Sequence, residues 1–144
     1  MLKFYIHELD YAISFLYKLE LTDYSSRMRT RFLKILVERE HQFRDEYYEL
    51  IKEHCRLDEQ DNPIVIYEGD YQRYDIKDLN VFNAALLPLL NEEFYIELTM
   101  DKKNMIQSVA QSVLNCGLAF TGDEQFKYET LAEKFENLGF ETQE

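Results

Sequence analysis

The sequence predicts a mainly α-helical fold of the α+β kind: about five helices, one of them a long helix near residues 25–55, and a small antiparallel β element. Three observations predict it. With only 4 Gly and 2 Pro in 144 residues, the chain lacks the turn formers that an all-β protein needs. Residues 25–55 contain neither Gly nor Pro and keep apolar side chains at near-helical spacing. Dense β-branched and aromatic residues are confined to short stretches.

Taken in order, Lys3 to Ile6 reads as a short strand or extended lead-in. Leu9, Ala12, Ile13, Leu16 and Leu19 then recur three and four apart, the mark of a first helix. Thr22-Asp23-Tyr24-Ser25-Ser26 interrupts it with side-chain oxygens that can take up the free N–H groups of a new helix start. The long helix follows, with Met28, Phe32, Ile35/Leu36, Phe43, Tyr47 and Leu50/Ile51 as its inner positions. At 1.5 Å per residue it is a rod of roughly 45 Å. A domain of this size has a radius of gyration of about 15 Å, so part of the rod is expected to pack against another chain.

The acidic segment 57–63 ends in Asn62-Pro63, which closes the rod with a turn. Residues 64–67 and 71–76, joined by Glu68-Gly69-Asp70, read as a hairpin. Asp75 or Asp78 can cap a third helix reaching about Asn91, with Leu79, Phe82, Leu86 and Leu90 inward and a kink or break expected near residue 87, because of Pro88. Residues 94–98 have strand character. A fourth helix is expected from an Asp101 cap to Gly117, carrying Ile106, Val109, Ala110, Val113 and Leu114. Thr121 and Glu124 have capping-box spacing ahead of a fifth helix with Tyr128, Leu131, Phe135 and Leu138 inward, ended by Gly139.

Composition places these elements in one domain, residues 1–144. Hydrophobic residues at 46% and charged residues at 31% describe a globular chain. No apolar run approaches the roughly 18 residues of a membrane span, and MLKFYIHELD has no signal-peptide pattern. Cys55 and Cys116 are too few for a disulfide scaffold. The expectation is a cytoplasmic protein that neither enters a membrane nor holds a cofactor or a metal.

Charge is unevenly distributed. Residues 1–57 hold ten Lys/Arg and ten Asp/Glu, so the net charge of −12 belongs to residues 58–144. That stretch repels a phosphate backbone, and nucleic acid is not the expected partner. The exception is the cluster Arg27, Arg29, Arg31 and Lys34 at the start of the long helix, where the helix dipole disfavours cations. Something anionic should answer it: the protein's own acidic part, that of a partner subunit, or an external phosphate.

Catalytic signals are weak. Glu38 and His41 have the Glu-x-x-His spacing of di-iron bundles, but no second copy of the motif exists, so a solvated face accounts for them. His54 and Cys55, adjacent on a helix, diverge by about 100° and cannot share an ion without distortion. No nucleophile elbow or phosphate loop is present. The reading is not an enzyme. Aromatic residues at 15%, with 11 Tyr, point instead to contacts: Tyr47/Tyr48, Tyr71/Tyr74 and Phe94/Tyr95 place rings outside any single core face.

The segments KFYIHELDYAISFLYKLEL, SSRMRTRFLKILVEREHQF, LDEQDNPI and LLNEEFYIEL together resemble a family of short uncharacterised proteins encoded by phages and prophages of Gram-positive bacteria. The resemblance covers most of the chain, with Pro88 as a departure, and implies a phage-encoded accessory protein acting inside the host. The functional expectation is therefore a non-enzymatic interaction protein that self-associates through the long helix into a homo-oligomer. The alternatives are an acidic nucleic-acid mimic that occupies a host enzyme's basic groove, and a weak nucleic-acid binder using Arg27, Arg29, Arg31 and Lys34.

Overall fold

The computed structural model describes residues 1–140. The chain forms β1 (Leu2–Tyr5), α1 (Ile6–Lys18), α2 (Asp23–His54), β2 (Val65–Glu68), β3 (Tyr71–Tyr74), α3 (Leu79–Leu90), β4 (Glu93–Ile96), α4 (Lys103–Leu114) and α5 (Asp123–Glu136). The mainly helical reading holds, with one long helix and two antiparallel pairs of strands.

α1 buries the Leu9, Ala12 and Leu16 stripe that its spacing announces, together with Ile6 and Phe15. Its first turn is tied by the Tyr5 N–H, which donates to Glu8 Oε1 at 2.7 Å. α2 is one continuous helix of 32 residues, roughly 48 Å long. Along it, Met28, Phe32 and Leu36 enter one core and Ile51 enters another.

The larger core joins α1, the first half of α2, α4, α5 and the β1–β4 pair. Phe32 sits at its centre, with ring centroids 6.5 Å from Phe4 and 6.0 Å from Phe135. Leu2 pairs with Ile96 and Phe4 with Phe94, so the second residue of the chain is zipped to a strand some ninety residues later. The smaller core lies at the far end of α2 and consists of Ile51, Cys55 and Phe82, flanked by Tyr47, Leu50, Tyr74, Ile76 and Leu86. The β2–β3 hairpin is hooked onto the end of α2 by backbone bonds: Arg56 N–H to Asp75 O at 2.9 Å and Lys77 N–H to His54 O at 2.8 Å.

Several expectations change. Pro88 neither ends α3 nor breaks it at residue 87, since the helix runs on to Leu90. The N–H that Pro88 lacks would have served Ala84, whose residue is exposed, so water can reach that carbonyl. The expected inner face of α3 is mostly open: Phe82 is buried, Leu86 and Leu90 are half-buried, and Leu79 is exposed. Asp78 rather than Asp75 caps this helix, accepting from the N–H groups of Asn80 and Val81.

Asp101 does not cap α4. The Thr99 carbonyl takes the Lys102 and Lys103 N–H groups at 3.0 and 2.9 Å, so a turn precedes the helix and Asp101 bonds the Thr99 hydroxyl instead. α4 ends at Leu114, ahead of Gly117. The Thr121 capping box is also not made. Gly122 occupies the cap position of α5 at φ 60°, ψ −141°, a conformation open to glycine, which leaves Thr121 one residue outside.

The rod, finally, is covered by its own chain more than its length suggested. α3 and the hairpin pack on its outer half. The α2 face that stays open beyond residue 37 carries Glu38, His41, Gln42, Asp45, Tyr48 and Glu49, a solvated face with no apolar seam.

Candidate functional site

The four predicted cations separate into two kinds. Arg29 points inward: its guanidinium donates to the carbonyl oxygens of Leu16 at 2.9 Å and Leu19 at 2.5 Å, and reaches Ser26 Oγ at 3.4 Å. The two carbonyls belong to the end of α1, where acceptors lack full helical partners: Leu16 O has only the long bond from the Leu19 N–H at 3.4 Å. A cation there also meets the negative end of the α1 dipole. Arg29 is therefore a structural clamp between α1 and α2, engaged by its own chain.

Arg27, Arg31 and Lys34 are exposed, and none forms an ion pair among the described residues. Their i, i+4, i+7 spacing puts them on one face of α2, with exposed Tyr24 one turn earlier. Of the acidic stretch, α4 and α5 pack around the same half of α2 without reaching these cations, and the acidic residues 47–92 lie at its far end. A continuous helix keeps the two apart, since Lys34 and Glu53 lie roughly 28 Å apart along its axis.

The aromatic pairs also split. Tyr47 packs edge-on against Phe82 at 6.0 Å and Tyr74 borders the same core, so both are internal. Phe94 packs on the larger core. Tyr48 is exposed beneath Lys52, whose Nζ lies 5.7 Å from its ring. Tyr95 is exposed and donates its hydroxyl to Glu93; that bond raises the Tyr95 pKa and lowers that of Glu93. Tyr71 is the most open of the six, at the hairpin.

Uncovered apolar surface lies on a helix face that the sequence reading placed inside. α3 (LNVFNAALLPLL) has no charged residue, yet only Phe82 is buried. Leu79, Val81 and Leu87 are 60%, 51% and 57% exposed, and Tyr67 and Tyr71 on the neighbouring hairpin are 70% and 81% exposed. A helix with apolar residues on most of its circumference, Asn80 and Asn83 apart, is normally enclosed, and here the chain encloses one side. The absence of charge over twelve residues was the available signal.

Around this face the lobe is acidic: residues 47–92 hold ten carboxylates and four Lys/Arg. Three of those cations are already paired, Arg56 with Asp75 at 2.7 Å, Arg73 with Glu68 at 2.9 Å and Lys52 with Glu49 at 3.8 Å. Glu53, Glu59, Asp61 and Asp70 are exposed without such a partner among the described residues.

Elsewhere the polar groups answer one another. A groove of about 280 Å³ between α1 and α5 holds the pair Glu8–Lys134 at 3.1 Å, with Lys134 Nζ 5.4 Å from the Phe4 ring centroid. Glu8 is already bound to the Tyr5 N–H, so this pair ties α5 to the start of α1. At the other end of α5, the Tyr128 hydroxyl donates to Val113 O at 2.7 Å, and its ring stacks on Phe120 at 4.1 Å. Burial, with the neighbouring Cys116 thiol, pushes the Tyr128 pKa up to about 12. Burial also pushes Tyr11 up to about 12; its hydroxyl has no hydrogen-bond partner. Cys55 and Cys116 are free thiols. Among the described residues, no three His, Cys, Asp or Glu side chains gather as a metal site, and no helix is long and apolar enough to cross a membrane.

Compared with protein-family models, curated proteins and solved structures, the chain matches none.

Proposed function

We propose that this is a non-enzymatic protein–protein interaction module whose contact face is α3 with the adjoining hairpin. One observation carries the reading: an uncharged twelve-residue helix with a single buried side chain leaves Leu79, Val81 and Leu87 in water. Large apolar side chains left in water on one uncharged helix mark a protein contact more often than a bare surface. Aromatic residues such as Tyr67 and Tyr71 beside it are the type that anchors interfaces. The site expected on the rod moves accordingly to the helix that leans on it. The setting drawn from the sequence resemblance, a phage-encoded accessory protein inside a bacterial host, belongs to the same proposal.

A photo-crosslinking residue placed at Leu87, with a control at His41 on the solvated face of α2, tests it in the purified protein and in a Gram-positive bacterial extract. A discrete adduct from position 87 and none from position 41 is expected. No adduct from position 87, or equal adducts from both positions, overturns the reading.

A second reading, anion or nucleic-acid contact through Arg27, Arg31 and Lys34, is favoured by their lack of an ion-pair partner within the described chain. It is opposed by the net charge of −12. Arg29 takes no part, being committed to α1.

A further inference from the structure

We infer that the occupant of the α3 face is a second copy of this chain, docked head to tail: the basic turns of α2 in one copy meet the acidic, apolar lobe of the next. The inference rests on α3 being a contact face and adds the identity of its partner. Three observations carry it.

The first is complementarity. Arg27, Arg31 and Lys34 are exposed cations without an acid, while Glu53, Glu59, Asp61 and Asp70 are exposed carboxylates without a cation among the described residues. Each set is the answer to the other. The long aliphatic stems of Arg and Lys can also lie along an apolar helix while their charged heads reach its acidic surroundings. Tyr24, exposed beside them, adds a ring to that face.

The second is rigidity. Both sets are fixed to the same unbroken helix, roughly 28 Å apart between Lys34 and Glu53. That span exceeds the Debye length of about 8–10 Å at ordinary ionic strength, so the sets do not neutralise each other within one chain. A contact between these two sets therefore requires two chains.

The third observation opposes one symmetric arrangement, α3 on α3. Packing α3 against α3 across a two-fold axis would bring together two lobes that each carry six net negative charges over residues 47–92. A head-to-tail contact avoids this. Because it uses two different surfaces, it leaves one of each kind free at the ends and propagates unless it closes, as a ring or as a two-fold pair in which both contacts form.

The test uses two surface variants of the full chain. Arg27→Glu/Arg31→Glu/Lys34→Glu removes the basic face, and Val81→Lys/Leu87→Lys removes the receiving face. Sedimentation velocity of the wild type should show mass growing with concentration, to two chains where the pair closes and past two where it does not. The association should weaken about tenfold or more between about 0.05 and 0.5 M NaCl, as screening predicts. Each variant alone should run as a single chain, whereas an equimolar mixture should stop at two chains, since one intact face of each kind remains.

If thermal melting shows either variant unfolded, the milder Arg27→Gln/Arg31→Gln/Lys34→Gln and Val81→Asn/Leu87→Asn replace it in the same mixing experiment. A wild type that stays a single chain at millimolar concentration overturns the inference, and so does a mixture of folded variants that fails to pair. If position 87 then crosslinks to a different protein, the contact face survives and only its occupant is wrong. If it crosslinks to nothing, both fail.

Discussion

The two ends of α2 carry lobes of unequal build. Around its first half, nineteen buried apolar residues from α1, α2, α4, α5 and the β1–β4 pair form one core, against three in the lobe at its far end, among the described residues. The sequence supplies apolar residues to both. In the first lobe they are enclosed by four helices and a strand pair; in the second, the uncharged α3 lies mainly against α2, touches α1 and borders a hairpin. Local stability follows the number of buried contacts, so the second lobe should open first. The difference teaches that length and apolar content do not make a core. A core requires elements enough to close around it.

The sharpest way to break this comparison is to delete one aromatic ring from each lobe. Phe32→Ala, which removes the ring between Phe4 and Phe135, should cost about 3–5 kcal/mol in denaturant unfolding and loosen the whole molecule. Phe82→Ala should cost less, about 2–3 kcal/mol, and hydrogen exchange should accelerate in residues 55–90 while β1, α1 and α4 stay protected. Equal acceleration everywhere would show that the lobes unfold as one unit.

Next in size, Arg29→Ala strips the clamp from the end of α1 and should destabilise by about 1.5–3 kcal/mol, the range for hydrogen bonds from a charged donor. The matched change Arg31→Ala, on the same helix but without a partner, should stay within about 0.5 kcal/mol. Equal costs would mean that the two arginines do not differ as their contacts imply.

The smallest effect is a pH dependence confined to the first lobe. Tyr11 and Tyr128 have folded-state pKa values of about 12 against 10.0 for the free side chain. The unfolded chain therefore loses these protons first. Their contribution to stability should be flat below about pH 10 and fall as the pH rises towards 12. Tyr128→Phe should flatten that decline and, because the Val113 hydrogen bond is lost, lower the plateau by about 1 kcal/mol. An unchanged alkaline slope would sink the assignment.

Much of the fold was legible because helices announce themselves locally. The three- and four-residue spacing of Leu9, Ala12 and Leu16, or of Val109, Ala110 and Val113, is a property of neighbours in sequence, and these residues are buried as read. The break at Pro88 did not occur, because the carbonyl left without a partner belongs to Ala84, an exposed residue. The Thr121 and Asp101 caps misled because the preceding backbone decided where each helix began. Of the candidate site, the basic cluster could be read, but not that Arg27, Arg31 and Lys34 lack an ion-pair partner among the described residues. That Arg29 differs from them could not, because its acceptors lie ten and thirteen residues back.

By itself, the sequence determined where helices and strands form, since periodicity, turn formers and their absence act over a few residues. Only the tertiary structure decided that β1 pairs with β4, that Arg29 serves α1, and that α3 rather than α2 keeps its apolar side in water. Each of those depends on which distant segments arrive to pair, to accept a hydrogen bond or to give cover, and local spacing carries no record of that.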